Sequence, residues 1–592
     1  MDKLVTVKIG GEAGFGIKVA GSTLGTVFSR MGYEVFDHTE YPSLIRGGHN
    51  TFEITIGQKV FSHVRPVNLL IALNQQTFDS HLSELSSNAG IIFDPVKTKK
   101  TSEKFRLFPV PLTDILKQTG GSDLMKNTVA LGAALAVLCD NEDIFIQVLK
   151  ETFAKKLPAV IQQNIAAASG GFNYVKEHFK DKFDYHLESK EKKHQIYLTG
   201  NEAVGLGAIA GGCTAYFGYP MTPSSPLLAF MAKHGPKHRV LVRQPEDEIS
   251  VLNTAIGAGW AGVRSMVATA GGGFSLMTEA LGLSGITETP VVIYVGQRPG
   301  PATGLPTWSS QADLRFLMHA SQDEFPRIII APGDHEEAFY ETTRAFNLAE
   351  KYQMPVFILF DKNLGEGGKT VPPFDQSKVK IERGEWVSEA DIKKLGRYLR
   401  YKVTESGISS RVLPGTEGGV HISNSDEHDE YGYNVEDVEN RNAQMEKRMR
   451  KLQTAMKEVP EPKLYGPKDA DLTIVSWGST KGPILQALNL PSPGARLDST
   501  RQVGRVPEGR EGSLSVNFLH FVYLWPFPTP KAVELIKSAK RLMTIENNYT
   551  GQFDGLIRQF IGRAPEESLR KYDGRPFWPH EIVEAVSKIV SK

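Results

Sequence analysis

The alternation of apolar and polar positions predicts an α/β chain from its first residues. Residues 4–9 (LVTVKI) are a continuous β-rich apolar run that enters the glycine-rich segment GGEAGFG. VAGSTLGTVFSRMG then repeats apolar positions at helical spacing, and YEVFD returns to a strand pattern. We therefore predict a βαβ opening for a first domain, residues 1–180. The charged stretch that follows offers few apolar positions, so residues 181–195 are interpreted as a linker that buries little.

Two further α/β units are predicted after the linker. From residue 196, helical patterns alternate with short β-rich runs such as TAYFGYP, RSMVATA, PVVIYVG and PVFILF. Because strands that alternate with helices favour a parallel sheet covered on both faces, residues 196–365 are predicted to form such a domain. Residues 366–465 are polar and broken by Pro and Gly, and they end in a charge-laced helical pattern, so they are interpreted as a connecting arm with little core. The third α/β unit is predicted over residues 466–592.

Composition and charge exclude several classes of protein. At roughly 150 residues per domain, 592 residues indicate three to four domains. The 68 basic and 67 acidic residues give a net charge of +1, which removes the electrostatic basis for nucleic acid or a membrane surface as partner. Two cysteines cannot form a disulfide framework or a four-cysteine metal site. The amino terminus lacks a signal-peptide pattern, and the longest apolar stretches fall short of the ~20 residues that span a bilayer, so we expect a cytoplasmic protein.

The first strand and the first helix are joined by a glycine-rich turn, which contains Gly10, Gly11, Gly14, Gly16 and Gly21. Such glycines let a phosphate approach the backbone at a helix amino terminus. Asp37, at the end of the next strand, stands where a dinucleotide fold has its ribose-binding acid. The third glycine of the dinucleotide fingerprint is absent, because IKV follows Gly16. NAD binding, binding of another phosphate group and a plain tight turn all stay open.

Further segments carry candidate chemistry, each with a structural alternative. Thr222 in YPMTPSSP follows a strand, so it either lies in the crevice beyond the sheet or caps a turn. The acids 246–248 precede a helix, where acids usually complement the helix dipole. Arg298 ends the apolar strand VVIYVG, and an arginine there binds an anion or makes a structural salt bridge. A polar segment contains four side chains of the types that bind metal ions: His421, Glu427, His428 and Asp429. We interpret this segment as a solvated loop and predict no metal site.

Taken together, these motifs resemble the α subunit of the 2-oxoacid:ferredoxin (acceptor) oxidoreductases with that family's γ domain fused at the amino terminus. YPMTPSSP is similar to the family's YPITPSS, the stretch from QPEDEISVLN to GQRPGPATGLPT is similar without interruption, and IENNYTGQF resembles its carboxyl-terminal domain signature. The resemblance covers nearly the whole chain. It implies three units: a Rossmann-like γ domain, a pyrimidine-type domain of the thiamine diphosphate fold, and a domain like the carboxyl-terminal domain of transketolase.

The resemblance also implies roles for individual residues. By motif position, Glu248 is the catalytic glutamate that meets the aminopyrimidine ring of thiamine diphosphate, which overturns the dipole interpretation of the acidic cluster. A carboxylate there favours the imino tautomer, whose nitrogen removes the thiazolium proton. Tyr219 and Pro220 fall in the cofactor-binding segment. Thr222 matches the family's substrate-binding threonine. Arg298 and Thr303 match the residues that bind the carboxylate of the 2-oxoacid.

Parts of the family's site are missing from this chain. Diphosphate and Mg²⁺ are held in the family by a GDG motif followed by asparagine, and the nearest match, 333–335, reads Gly-Asp-His. The family's 4Fe-4S cluster needs more cysteines than the chain has. The resemblance therefore implies a β subunit that shares thiamine diphosphate with this chain and carries Mg²⁺ and the cluster. The expected assembly is a dimer of heterodimers, and neither subunit is expected to be active alone. Coenzyme A is expected as a substrate, which gives a phosphate role to Gly11, Gly14 and Gly16.

The γα fusion with a separate β subunit is most like the 2-oxoglutarate-using members of the family. The expected reaction is the coenzyme A-dependent oxidative decarboxylation of 2-oxoglutarate to succinyl-CoA and CO₂, with electrons passed to ferredoxin. A low-potential ferredoxin would permit the reverse, reductive carboxylation of a reductive TCA cycle. Pyruvate and branched-chain 2-oxoacids are the alternative substrates. The alternatives from other classes are an NAD-dependent dehydrogenase that uses the amino-terminal turn and a non-catalytic scaffold.

Overall fold

The computed structural model describes residues 4–42, 47–99, 102, 104–191, 193–488 and 515–590. Residues 489–514, which belong to the predicted unit 466–592, lie outside the described residues. The chain forms two compact units. The first comprises Met1–Thr199, Glu366–Pro373 and Trp578–Glu584, and the second comprises Gly200–Gly365, Phe374–Phe577 and Ala585–Lys592.

The strands are, in chain order, β1 (Val5–Glu12), β2 (Glu34–Glu40), β3 (His49–Gly57), β4 (Val67–Ala72), β5 (Leu85–Phe93), β6 (Arg106–Pro109), β7 (Ile196–Thr199), β8 (Ala215–Gly218), β9 (Leu241–Arg243), β10 (Ser265–Ala270), β11 (Val291–Gln297), β12 (Ile328–Ile330), β13 (Pro355–Asp361), β14 (Gly368–Val371), β15 (Lys463–Tyr465), β16 (Leu472–Trp477), β17 (Val516–Phe521), β18 (Tyr523–Trp525), β19 (Leu542–Glu546) and β20 (Glu567–Arg570). The α-helices are α1 (Ile17–Arg30), α2 (Gln75–Ser80), α3 (Leu112–Thr119), α4 (Lys126–Leu138), α5 (Asp143–Thr152), α6 (Pro158–His178), α7 (Gly200–Ala210), α8 (Ser225–His234), α9 (Glu248–Trp260), α10 (Gly271–Ile286), α11 (Leu314–His319), α12 (His335–Tyr352), α13 (Lys362–Glu366), α14 (Glu389–Leu395), α15 (Val438–Met456), α16 (Lys481–Leu488), α17 (Pro530–Ser538), α18 (Gln552–Leu556) and α19 (Pro579–Val590). Short 3₁₀ turns lie at Leu82–Glu84, Asp123–Met125, Gly235–His238, Gln376–Lys378 and Gly478–Thr480, and a π turn lies at Ile557–Ile561.

The first unit is built on an eight-stranded mixed sheet with the order β6-β5-β4-β1-β3-β2-β14-β7. β1 pairs in parallel with β4, whereas β3 is antiparallel to both β1 and β2. The predicted βαβ opening is therefore present, with a third strand between its two strands. The prediction omitted β3, although the β-branched residues of HNTFEITIG favour a strand.

Glycines bring the helices of the first unit close to their neighbours. A β-carbon on Gly21 of α1 would stand 2.1 Å from the ring of Phe52 on β3. Where α4 crosses α6, a β-carbon on Gly132 or Gly171 would stand 2.0 Å from a main-chain oxygen of the other helix. A larger side chain at these positions would push the helices away from the core. Within the described residues, no helix combines the length and apolar composition that crossing a bilayer requires.

The segment predicted to be an exposed linker packs against the first unit. Phe183 and Leu187 are buried in the apolar core of that unit. The hydroxyl of Tyr33 donates to the main-chain oxygen of Glu188 (2.6 Å). Most of residues 181–195 are exposed, as expected of a stretch that buries little, but these few apolar side chains anchor it to the unit. Strand β7 follows and pairs with β14.

The second unit contains the parallel sheet predicted from the sequence. Its order is β18-β12-β13-β11-β10-β8-β9, and only β18 runs antiparallel to its neighbour. A five-stranded sheet, β15-β17-β16-β19-β20, is parallel except for β15. One apolar core includes side chains from both sheets, among them Val251, Ile293, Trp477, Leu519 and Phe553. The α/β fold class is confirmed.

The arm between the two sheets is fixed by buried charges. Lys447 and Lys451 of α15 donate to the carboxylate of Glu288 (2.6 and 2.8 Å), and all three side chains are buried. Arg400 donates to the main-chain oxygen of Glu288 (2.9 Å). Burial opposes ionisation, but the two lysines outweigh it and hold the pKa of Glu288 well below its ordinary value. The arm predicted to have little core is therefore anchored by ion pairs, which apolar patterning does not reveal.

Candidate functional site

The three acids at the start of α9 have three different environments. Glu246 is exposed, and the carboxylate of Asp247 accepts a hydrogen bond from the Ser250 amide (2.8 Å) as the helix N-cap. Glu248, the first helical residue, is 3% exposed. Its Oε1 atom has no hydrogen-bond partner in the part of the chain that the structure describes. A buried acceptor without a donor is costly, so Glu248 is suited to a ligand that supplies an N–H or O–H group.

The buried carboxylate of Glu248 lies against the amino terminus of α10. A β-carbon on Gly273 would stand 2.5 Å from Glu248 Oε1 and 2.2 Å from Thr269 Oγ1. Gly272 is exposed, and the nearest atom to a β-carbon there is the main-chain oxygen of Ala302, at 3.7 Å. The sequence AGGGF thus forms a close-fitting backbone cradle around the acid at Gly273, since only glycine permits this approach.

Arg298 and Thr222 are brought together at the end of the sheet. Nη1 of Arg298 donates to the main-chain oxygen of Thr222 (2.7 Å), and the guanidinium is partly buried. Burial lowers the pKa of Arg298, and the nearby Asp313 opposes that shift. One end of the guanidinium fork is therefore fixed by the protein, which orients the remaining N–H groups for an anion.

The other predicted residues lie on exposed loops next to this pair. Tyr219 and Pro220 are exposed directly after β8, and Thr303 is exposed in the loop that follows β11. That loop is closed by the Leu305 amide, which donates to the Pro299 oxygen (3.0 Å). Because β8, β10 and β11 are parallel neighbours, their carboxyl ends place all of these residues at one edge of the sheet. Thr222 thus lies beyond the carboxyl end of β8, and its role in binding substrate stays a prediction.

Asp313 is a further candidate that the sequence did not reveal. Its amide donates to Oε1 of Gln297 (3.0 Å), and its Oδ2 atom has no hydrogen-bond partner in the described part of the chain. A β-carbon on Gly271 would stand 2.7 Å from that oxygen. Burial raises the pKa of Asp313 to about 6, although Arg298 opposes the shift. From sequence, an aspartate before a helix is an ordinary N-cap, yet this side chain makes no capping hydrogen bond to α11.

The IENNYTGQF segment fixes the loop that carries Asp313. The Asn547 amide donates to Oε1 of Gln311 (2.9 Å), and Nδ2 of Asn548 donates to the Gln311 oxygen (3.0 Å). Nε2 of Gln552 donates to the main-chain oxygen of Ala312 (2.6 Å). The carboxyl-terminal motif therefore acts on the site through positioning, a role that sequence alone did not predict.

The amino-terminal glycine turn is open but differs from a dinucleotide site. Gly14 and Gly16 have positive φ angles (96° and 68°), and among the described residues no atom beyond the chain neighbours of Gly14 lies within 4 Å of a β-carbon built there. Gly11 is the seventh residue of β1 and pairs with Asn50. Asp37 is 2% exposed and accepts a hydrogen bond from the Tyr197 hydroxyl. The acid that would bind a ribose is therefore engaged inside the first unit, which disfavours the NAD alternative.

The degenerate Gly-Asp-His motif is structural. The carboxylate of Asp334 caps α12 by accepting from the Glu337 amide (2.9 Å), and it also accepts a charge-assisted hydrogen bond from Lys481. His335 is fully buried. These contacts occupy the side chain that would bind Mg²⁺ in a GDG motif.

The polar segment at 421–429 is not solvated throughout, as it was predicted to be. Glu427 accepts from Arg441 and Arg448 (2.7 and 2.6 Å), and His428 is buried against the ring of Tyr401. Although burial opposes it, the two arginines lower the pKa of Glu427 to about 2. The interpretation as a solvated loop is wrong for these two residues, because two arginines replace solvent at Glu427 and the ring of Tyr401 covers His428. Among the described residues, no group of three or more His, Cys, Asp or Glu side chains is arranged to hold a metal ion.

Comparisons with known proteins agree on one family. The family model described as pyruvate ferredoxin/flavodoxin oxidoreductase matches residues 6–174, and the model described as pyruvate flavodoxin/ferredoxin oxidoreductase, thiamine diP-bdg, matches residues 206–447. The chain is 32% identical to the 2-oxoacid:ferredoxin oxidoreductase subunit alpha of Sulfolobus sp, over 98% of this chain and 96% of that protein.

Two further similarities concern 2-oxoglutarate. The chain is 32% identical to the 2-oxoglutarate synthase subunit KorA of Methanothermobacter thermautotrophicus, over 67% of this chain and 99% of that protein. It also superposes, with a TM-score of 0.89 and 29% identity, on the 2-oxoglutarate:ferredoxin oxidoreductase from Magnetococcus marinus with 2-oxoglutarate, coenzyme A and succinyl-CoA bound. That match covers 99% of this chain and 100% of the other.

Proposed function

Because the chain belongs to the 2-oxoacid:ferredoxin oxidoreductases, as one of their α subunits, we propose that it supplies the pyrimidine end of a thiamine diphosphate site and the pocket for the 2-oxoacid. The observation that carries this proposal is the buried Glu248 carboxylate with an unpartnered Oε1 atom beside the Gly273 cradle. An acceptor in that environment fits the N–H group that the ring nitrogen carries in the imino tautomer of the cofactor's aminopyrimidine.

The residues present fit one end of thiamine diphosphate. Glu248 would hold the aminopyrimidine, and the exposed Tyr219 and Pro220 would border it at the edge of the sheet. When bound, the cofactor supplies a nucleophilic carbon for the keto group and takes up the electron pair that decarboxylation leaves. Glu248 would hold a proton at the pyrimidine nitrogen, and water is excluded from its carboxylate by burial.

The substrate carboxylate is assigned to the neighbouring pair. Arg298, fixed through its contact with the Thr222 oxygen, presents its remaining N–H groups to a carboxylate, and Thr303 lies on the adjoining loop. A charge-assisted contact there holds the keto carbon in one orientation.

A β subunit completes the site in this proposal. Asp334, the nearest match to the diphosphate motif, is engaged by Lys481, and two cysteines cannot hold a cluster. Mg²⁺ and the 4Fe-4S cluster are therefore assigned to the partner. Exposed apolar side chains on α9 and α10, Ile249 and Leu276, are 47% and 51% exposed next to the buried acid and offer it a docking surface. We retain the dimer of heterodimers as the assembly.

The substrate assigned is 2-oxoglutarate, with succinyl-CoA and CO₂ as products, coenzyme A as co-substrate and ferredoxin as electron acceptor. The named relatives from Methanothermobacter and Magnetococcus support this choice. Pyruvate is the second candidate. The turn at Gly11, Gly14 and Gly16, which is open at Gly14, is assigned to a phosphate of coenzyme A. The divisions 1–180, 181–195, 196–365, 366–465 and 466–592 are retained as the proposed domains.

The proposal is tested by co-purifying the chain with its β subunit and measuring ferredoxin reduction that depends on both 2-oxoacid and coenzyme A. Each subunit alone serves as the control. We expect activity only in the complex, with 2-oxoglutarate preferred over pyruvate. Preference for pyruvate would reject the substrate and keep the reaction class, whereas NAD reduction by this chain alone would overturn the proposal.

A further inference from the structure

We propose that Asp313 sets the affinity for the 2-oxoacid, as a fixed counter-charge that weakens the hold of Arg298 on the substrate carboxylate. This inference rests on the proposed function of Arg298. It assigns a role in substrate affinity to a residue that does not touch the reacting atoms. Asp313 does not touch the guanidinium either, because no ion pair within 4.0 Å joins it to Arg298 among the described residues.

Asp313 is held rigidly to the strand end that carries Arg298. Its amide donates to Oε1 of Gln297, the residue that immediately precedes Arg298. Its carboxylate packs against Gly271 at the start of α10, where a β-carbon would stand 2.7 Å from Oδ2 and 3.0 Å from Oδ1. The hydrogen bonds made by Gln311 and Ala312 fix the loop on the other side. The backbone that carries the side chain is therefore fixed on both sides, which keeps the carboxylate near the strand end.

The hydrogen bonding of Asp313 is unusual for a structural acid. Oδ2 is buried without a partner in the described part of the chain, and the side chain does not cap α11. A buried carboxylate that served only stability would be expected to accept hydrogen bonds, because an unpaired one costs free energy. Retaining a charge under such conditions is typical of functional sites.

Arg298 is the charged group that acts on Asp313. Burial raises the pKa of Asp313 to about 6, and Arg298 opposes this rise. Other titratable or charged groups lie on its own helix and on the elements around it: Arg315 and His319 on α11, Asp554 on α18, Glu279 on α10, Glu248 on α9 and Asp361 at the end of β13. At neutral pH the carboxylate is therefore mainly ionised, and it repels an incoming carboxylate at the same guanidinium. Below about pH 6 it becomes neutral, and the repulsion disappears.

The test compares Asp313→Asn with wild type in the assembled complex, by ferredoxin reduction at varied 2-oxoglutarate. At pH 7.5 we expect the KM for 2-oxoglutarate to fall at least about ten-fold, the effect of one charge at about 10 Å in a medium of dielectric constant ~20. We expect kcat to change less than about two-fold. The ratio of the two KM values should approach one at pH 5.5, which a purely structural role would not produce.

Controls separate this inference from folding and from the proposed function. Asp323→Asn removes an exposed charge from the same segment and should leave KM unchanged. If Asp313→Asn does not fold, Asp313→Ser gives the same test. The wild-type complex gives a second test, because its KM should fall as pH drops from 7.5 to 5.5. An unchanged or raised KM in the variant, or a ratio that does not vary with pH, would overturn the inference alone. A wild-type complex with no 2-oxoacid-dependent turnover would instead contradict the proposed function.

Discussion

The carboxylate of Glu248 and the backbone of Gly273 lie so close that a β-carbon on the glycine would stand 2.5 Å from Oε1. The same β-carbon would stand 2.2 Å from Oγ1 of Thr269, so the cradle is bounded on two sides. This contact joins the first turn of α9 to the first turn of α10. Because of this contact, Glu248 is a buried acceptor although it belongs to a run of three acids that resembles a surface segment.

Gly273→Ala should destabilise the chain because its methyl group has no room beside Glu248 and Thr269. We expect a loss of about 1–3 kcal/mol in the free energy of unfolding, measured by urea denaturation. Gly272→Ala is the matched control, since its β-carbon would lie 3.7 Å from the nearest atom. Equal stability of the two variants would contradict the close approach.

Arg298→Ala should weaken 2-oxoacid binding more than it slows turnover. Loss of a charge-assisted contact of about 1.5–3 kcal/mol predicts a KM increase of at least ten-fold in steady-state assays of the complex. Arg298→Lys should recover only part of the affinity, because an ammonium group lacks the planar fork. An unchanged Michaelis constant in Arg298→Ala would reject the assignment.

Lys447→Met should destabilise the second unit, because it leaves Glu288 buried with only Lys451 as ion-pair partner. We expect a loss of about 3 kcal/mol, visible as a lower thermal unfolding midpoint. Lys457→Met, at the exposed end of the same helix, is the control and should change the midpoint little. If both variants melt alike, the buried ion pairs do not anchor the arm.

The acid sensitivity of the chain should include a contribution from Glu427. Its pKa is lowered to about 2 in the folded state, whereas an unfolded glutamate titrates near ~4.3. The stability that its ionised form contributes is therefore complete above about pH 4.5 and is lost as pH falls toward 2. The advantage of wild type over Glu427→Gln, about 1–2 kcal/mol after screening, should be present at pH 7 and 5 and smaller at pH 3. Glu436→Gln, an exposed control, should show no such convergence.

The periodic parts of the fold could be predicted because burial imposes them on the sequence. Apolar strand patterns located β1, β8, β10 and β11, and the order of strand ends placed Thr222 and Arg298 at one edge. The anchoring of the charged linker and of the arm was not predicted, because it depends on isolated apolar residues and on ion pairs such as Lys447 with Glu288. Lys447 and Glu288 are 159 positions apart in the sequence, so no local pattern reports their contact.

The candidate site could be predicted only in part from the sequence, for the same reason. Family motifs identified Glu248, but residue chemistry alone favoured a surface role, since burial of one acid among three follows from the packing of α9 on α10. No sequence pattern pointed to Asp313, because its buried position depends on Gly271 and on the loop held by Asn547 and Asn548.

The most direct test of the central claim is thiamine diphosphate-dependent turnover of the complex carrying Glu248→Gln, with Glu246→Gln as the matched control. Removal of the buried charge should lower kcat by at least about 100-fold, since proton transfer at the pyrimidine nitrogen depends on it, while the exposed Glu246→Gln should retain wild-type activity. Glu248→Gln activity within a few-fold of wild type would contradict the assignment of the cofactor site to this carboxylate.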